Sequence, residues 1–300
     1  MNSSSASETT RGGSVGPGGA TRPAKAGGRR LPQILWLALP GLLLVVVVFD
    51  LPLLNTMRWS LGDPNDPPTL RFYGEFAQSS VYGAVILRTL VLSAKVAALT
   101  ALIGYPLAYW ASGLSKRRQI AVIGLVVMTF WVSILVRTYA WIVVLGTNGI
   151  VNNALADLGL TSEPISFLYN EISIIIGMVN VLMPFFILPV FSAMVGIDKQ
   201  LVEVAETLGA SRLRAFWTVF FPLSLPAVIA SSILIFILSL GFYITPAILG
   251  GGRVVLVANM MDLLINRFAN WEIAAVIAVV LMITTLALYA VYQVMREQAQ

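Results

Sequence analysis

Asp50, Arg88, Lys95 and Arg137 each interrupt a run of otherwise apolar residues. A charge in hydrocarbon is expensive, so in a membrane chain each is a candidate for ion pairing or for contact with a solute. Arg88 and Lys95 are seven residues apart, on nearly one helical face, and helix direction puts Asp50, Arg88 and Arg137 toward the same leaflet. They can form an ion pair or triad in which Asp50 simply neutralises Arg88 or Arg137, or they can line a path. A second set, Trp131, Tyr139, Asn180 and Tyr243, offers π faces for an organic cation and hydrogen bonds for its amines. Ordinary interhelical packing would use the same residue types.

Most enzymatic chemistry is excluded by what the chain lacks. It contains no His and no Cys, which removes imidazole bases, thiol nucleophiles, disulfides and Cys/His metal sites. No catalytic group and no metal site is expected. Lys25, Lys95, Lys116 and Lys199 all lack the preceding Gly of a G-x-x-x-x-G-K-[ST] phosphate loop, so the chain has no ATPase site of its own. At 58% hydrophobic, 11% charged and mean hydropathy +0.85, it lies far outside the soluble range. The net charge of +5 reports membrane topology rather than a nucleic-acid surface.

The elements that must position these groups are transmembrane helices. A span needs about 20 mostly apolar residues, and six segments qualify: 34–57, 84–111, 119–146, 171–195, 223–249 and 271–295. The expected fold is an all-α integral membrane protein with six transmembrane helices over residues 31–300. Residues 1–30, rich in Ser, Gly and Pro, are expected to form a disordered cytoplasmic tail. The basic cluster before the first apolar run could belong to a signal peptide, but the run is long and lacks a small-residue cleavage site, so it reads as a retained helix. Arg11, Arg22, Lys25, Arg29, Arg30, Lys116, Arg117, Arg118, Lys199, Arg212, Arg214 and Arg296 fall on one side, against Arg58, Arg71, Arg253 and Arg267 on the other. By the positive-inside rule both termini are cytoplasmic. Residues 58–83, with three prolines, read as irregular, whereas 147–160 carries an apolar stripe ending at Gly159 and reads as a short interfacial helix. That helix could seal the membrane surface or dock a partner.

One polar island stands apart, "LVEVAETLGASRLRAFWTVFFPLSLP" from Leu201 to Pro226. Asp198 is a good N-cap and Gly209 a good C′ residue, which predicts a helix over Lys199 to Leu208. Glu203, Ala205, Glu206 and Gly209 then share one stretch of surface, and the small Ala205 and Gly209, four apart, allow another chain to approach closely. Arg212, Arg214 and the aromatics from Phe216 to Phe221 suit the headgroup level before Pro222 and Pro226 lead into the next span. An ordinary amphipathic connector would also fit this pattern.

Glu203-Val204-Ala205, three residues, Gly209, nine residues, Val219, one residue, Phe221-Pro222 resembles the E-A-A, three, G, nine, I, one, L-P loop of the membrane subunits of binding-protein-dependent ABC importers. Val204, Val219 and Phe221 depart from that pattern but stay apolar. "GYPLAYW" (104–110), "FWVSILVRTYAW" (130–141), "GIVNNAL" (149–155) and "GFYITPAILGG" (241–251) are similar to stretches of the spermidine/putrescine-type permeases of the group. Thr129 and Ala227 stand where those relatives often carry Pro and Gly.

The resemblance implies a type I importer permease fold in which the loop at about 198–222 forms a cytoplasmic coupling helix held by an ABC ATPase dimer. It also implies that ATP and Mg are bound by that ATPase, with no cofactor in this chain. Further implied partners are a homologous, non-identical second permease subunit and an external or periplasmic solute-binding protein, in a bacterial plasma (inner) membrane. The implied cargo is a polyamine. The excess of Arg88, Lys95 and Arg137 over Asp50 argues the other way, toward another amine, an amino-acid-like solute or an anion. A secondary transporter without an ATPase would commonly show inverted repeats and more intramembrane carboxylates; neither is visible here.

Overall fold

The computed structural model describes residues 39–298; the tail expected over 1–30 lies outside them. The chain divides into two units, Met1–Pro52 and Leu53–Gln300. The described part of the first is helical and exposed, and carries a π-helical turn at Val46–Asp50, of which Asp50 is the last residue.

Every regular element among the described residues is a helix. The candidate spans are α1 (Leu39–Trp59), α3 (Ser80–Ser112), Ile134–Asp157, α7 (Glu171–Val195), α9 (Arg212–Leu240) and Trp271–Ala290 within α12 (Trp271–Gln298). Among the described residues six segments are thus helical, long and apolar enough to cross a membrane, as the all-α reading requires. The Ile134–Asp157 segment consists of α5 (Ile134–Leu145) and α6 (Ile150–Asp157), and between the candidate spans lie α2 (Arg71–Gln78), α4 (Lys116–Met128), α8 (Lys199–Thr207), α10 (Ile244–Leu249) and α11 (Val257–Asn266).

Three expectations change. The segment 119–146 is not one helix. Thr129 Oγ1 donates to the carbonyl of Val126 at 2.6 Å, a side-chain bond that competes with the backbone ladder and bends helices. A 3-10 turn follows at Thr129–Trp131, Val132 and Ser133 are extended in ψ, and α5 restarts after Ser133. The fifth span does not reach residue 249; it stops at Leu240, with Gly241 as C-cap. Pro246 cannot continue a helix through Phe242, because its ring would clash with that carbonyl and it has no N–H. It is tolerated in the first turn of the separate α10, where an N–H has no helical partner anyway. Residues 58–83 are not wholly irregular, since α2 occupies 71–78. The loop before α2 is gathered by Arg58, which donates to the carbonyls of Gly62, Pro64 and Asp66 at 3.3, 3.1 and 2.6 Å.

The main core forms where α3, α7 and α9 pack. Leu92, Val96 and Ala108 of α3 meet Ile174, Met178, Leu182, Phe186, Val190 and Met194 of α7 and Ile235 of α9. Close approach of α3 and α7 depends on Gly104, where a Cβ would stand 2.6 Å from Phe186 Cδ1. Phe186 is fully buried and cannot retreat. Gly104→Ala is therefore expected to lower stability by about 1–3 kcal/mol, the usual cost of overpacking. Its thermal midpoint in detergent should fall, and Phe186→Leu in the same chain should restore part of the loss. A second core joins Val85 and Ile86 of α3, Val257 and Leu264 of α11, and Ile273, Ala274 and Ile277 of α12.

Candidate functional site

At one end of α9 the polar island is built as its residue types dictate. Asp198 Oδ1 accepts from the N–H of Gln200 at 2.9 Å and caps α8. Leu208 is the C-cap, and Gly209 takes φ +91, the left-handed conformation that glycine enters without a Cβ penalty. There the N–H groups of Gly209 and Ala210 donate to Glu206 and Ala205 at 3.0 Å, satisfying the last carbonyls. Ser211 Oγ then accepts from Arg214 N–H at 3.4 Å and opens α9.

The outward side of α8 carries an apolar surface that no described residue covers. Leu208 is 83% exposed and Val204 56%, and nothing lies within 4 Å of a Cβ built on Gly209. Glu203 and Glu206 are exposed, while Ala205 is half-buried. Glu206 and Arg212 approach only to 4.0 Å at the surface, a pair that contributes little. Beneath α8 lies an open cleft of about 610 Å³, lined among others by Tyr109, Trp110, Gln119, Val202, Glu203 and Phe220.

Behind the island an aromatic cluster links it to the core helices. Tyr109 meets Phe216 and Phe220 edge-on, both at 5.1 Å, and Tyr105 meets Phe221 at 5.7 Å. Tyr105 Oη and Ser224 Oγ share a hydrogen bond at 3.0 Å. Edge-to-face pairs add about 0.5–1.5 kcal/mol each beyond their buried area. The start of α9 is therefore tied to α3. Residues 216–220, which make these contacts, are a π-helical turn, a local distortion frequent at functional positions.

The intramembrane charges are placed differently from one another. Lys95 donates to Glu171 Oε2 at 3.1 Å, a partner that its distance in sequence concealed; Glu171 is the first residue of α7. Arg88 is exposed on α3. Arg137, in the first turn of α5, has a buried Nε with no hydrogen-bond partner.

No hydrogen bond or ring contact joins the four path candidates to one another among the described residues. Trp131, 87% exposed, ends the 3-10 turn, and Tyr139 is exposed on α5. Asn180 lies in an apolar groove of about 250 Å³ with Trp141, Leu99, Ile103 and Met183. Tyr243, at the far end of α9 from the island, is in a polar group of its own. The Asp262 carboxylate beside its hydroxyl raises the phenol pKa above its ordinary value, with desolvation adding to the rise. Asn259 Nδ2 donates to the Tyr243 carbonyl at 3.3 Å, and Asn266 Nδ2 to Asp262 Oδ1 at 2.7 Å. Asp262 was not visible as a site residue in the sequence, because α11 is too short to be a span and a single acid outside a span carries no signal.

The arrangement is a bundle with an exposed, capped helix at one end and separated polar and aromatic groups along its length. It holds no cluster of three metal-ligating side chains among the described residues. Comparison with solved structures gives the same architecture. The chain matches a crystal structure of a bacterial ABC transporter involved in import of the acidic polysaccharide alginate with a TM-score of 0.66 at 19% identity, covering 89% of this chain and 96% of that one. The alginate transporter in complex with an alginate-pentasaccharide-bound periplasmic protein matches at TM-score 0.64 and 20% identity, over 86% and 94%. In sequence, the spermidine/putrescine transport system permease protein PotB of Haemophilus influenzae is 36% identical over 214 residues, 71% of this chain and 74% of that protein. The model of the binding-protein-dependent transport system inner membrane component matches residues 101–297, well over half the chain and the whole polar island, so this protein belongs to that family, as a permease subunit and transport component of an ABC importer.

Proposed function

We propose that this chain is a permease subunit of a polyamine importer, carrying spermidine or putrescine released by an external binding protein. The reading rests chiefly on the 36% identity to a spermidine/putrescine permease over 71% of the chain. The solute would pass between this chain and a homologous second permease. ATP would be bound with Mg and hydrolysed by a separate ABC ATPase dimer, not here. That ATPase would grip α8 through Val204, Leu208 and the open surface at Gly209, and its closure would reach the spans through the aromatic cluster at Tyr109. In this orientation both termini and α8 face the cytosol of a bacterial cell, and Tyr243 stands toward the external side. Residues 31–300 would form the permease domain, preceded by a cytoplasmic tail.

The ion pair of Lys95 with Glu171 supports the cationic cargo, since it removes one of the three cations that would repel a polyamine. Arg137 favours a second reading: a buried guanidinium nitrogen without a partner suits an anionic or zwitterionic solute, or an acid from the second subunit. Uptake of labelled spermidine, putrescine and an acidic amino acid, measured in parallel with receptor and ATP present, tests the two. Receptor-dependent accumulation of the amines is expected. Accumulation of the acidic compound alone would discard the polyamine reading and assign Arg137 to the path.

A further inference from the structure

We propose that Asp262, with the Tyr243 ring and Asn259 beside it, forms a binding site for a primary ammonium group at the α10–α11 end of the permease. The inference rests on the amine-import reading above and names where the amine is held. It starts from the two faces of α11. Val257, Met260, Met261 and Leu264 pack into the second core with α3 and α12. Asn259, Asp262 and Asn266, spaced i, i+3 and i+7, share the opposite face. The helix is fixed in place, because its first N–H, of Val257, donates to Thr89 Oγ1 of α3 at 3.0 Å in a buried bond. The acid therefore stands on a rigid element, as a recognition group must.

Among the described residues the charge of Asp262 has no ion-pair partner: the ion pairs there are Arg71–Glu75, Lys95–Glu171 and Arg212–Glu206. Its carboxylate accepts from the neutral Asn266 amide and lies beside the neutral Tyr243 hydroxyl. Asn259 supplies a second acceptor in want of a donor. Its amide nitrogen is committed to the Tyr243 carbonyl, so flipping the side chain would set two carbonyl oxygens against each other. Its Oδ1, in the orientation that remains, is buried without a hydrogen-bond partner, and a buried unpaired acceptor is costly. Tyr243 is 42% exposed and brings an aromatic face to the same place.

A carboxylate, an amide oxygen and a π face match a primary ammonium, which has three N–H donors and a full charge. The ammonium gives Asp262 a charge-assisted donor in place of the neutral hydroxyl beside it, with the Tyr243 ring as its π face and Asn259 Oδ1 as a further acceptor. A quaternary ammonium, without N–H groups, can use only the charge and the ring.

The test uses the full complex of permease, ATPase and external binding protein in proteoliposomes, with labelled putrescine and spermidine. Asp262→Asn is expected to raise the apparent KM at least about tenfold, the loss of one charge-assisted hydrogen bond. The maximal rate of receptor-stimulated ATP hydrolysis should persist, and Asp262→Glu should stay within about threefold of the wild-type KM. A purely structural role for Asp262 would lower the rate instead and leave KM in place. Unchanged KM in Asp262→Asn overturns the site and leaves the polyamine reading standing. If the wild type carries neither polyamine but does carry another primary amine, the polyamine reading falls and the same variant, tested with that amine, decides the site. Uptake of only an acidic compound overturns both. Should Asp262→Asn fail to assemble, the wild type decides: putrescine must compete far better than its fully N-methylated analogue, and equal competition overturns the proposal.

Discussion

Gly209→Trp is expected to yield a permease that inserts and folds but no longer retains an ATPase, with receptor-dependent transport lost. Two costs separate cleanly at this position. The first is backbone strain: at φ +91 any side chain is disfavoured, by about 1–2 kcal/mol, and Gly209→Ala incurs it in full. The second is bulk. Among the described residues no atom lies within 4 Å of a Cβ at Gly209, so a side chain there starts out into open space. The gap between the Ala and Trp variants therefore reports a partner surface directly. Copurification of ATPase activity should be largely kept by Gly209→Ala and reduced at least about tenfold further by Gly209→Trp, the effect of about 1.4 kcal/mol of lost docking energy. Equal retention by the two variants would contradict docking at this end of α8.

Glu171→Gln is expected to reduce the folded permease severely, and a second change, Lys95→Met, to restore it. Lys95 lies within a candidate span and its ammonium is answered by Glu171 at 3.1 Å. Neutralising only the acid leaves an uncompensated cation in an apolar element, which costs roughly 2–3 kcal/mol on insertion scales, or about 30–100-fold in the folded fraction. Removing both charges removes the cost together with the pair. Monodisperse protein recovered in mild detergent measures the effect. Wild-type recovery of Glu171→Gln would mean that the pair is solvated and contributes as little as a surface salt bridge.

The Lys95 pair also illustrates where sequence reasoning ends. Lys95 was visible as an intramembrane charge, but its partner is 76 residues away and sits at a helix start, where an acid is ordinary. Only the packing of α7 on α3 selects it. Asp262 is a parallel case: α11 is a short helix between spans, and its acid becomes a candidate only because the fold brings Tyr243, in the break between α9 and α10, beside it. The interruptions at Thr129–Ser133 and at Gly241 were likewise hidden. Hydropathy averages over a window and does not register a side-chain bond such as Thr129 to Val126, or the place where proline stops a ladder.

What the sequence determined by itself was the fold class, the caps of α8 and the chemistries excluded by composition. Apolar length set the all-helical membrane class, because runs of about 20 apolar residues satisfy their backbone in lipid as helices, whereas barrel strands are about half as long. Asp198 and Gly209 set the two ends of α8 to within a residue, because capping depends on a few adjacent groups. The absence of His and Cys ruled out whole chemistries without any geometry. Tertiary structure alone decided which charges are answered, which aromatics touch and which acid faces a tyrosine. Those outcomes depend on distances between segments far apart in the chain, set by packing of the α3, α7 and α9 core at contacts such as Gly104 against Phe186, and no periodicity in a single helix encodes them.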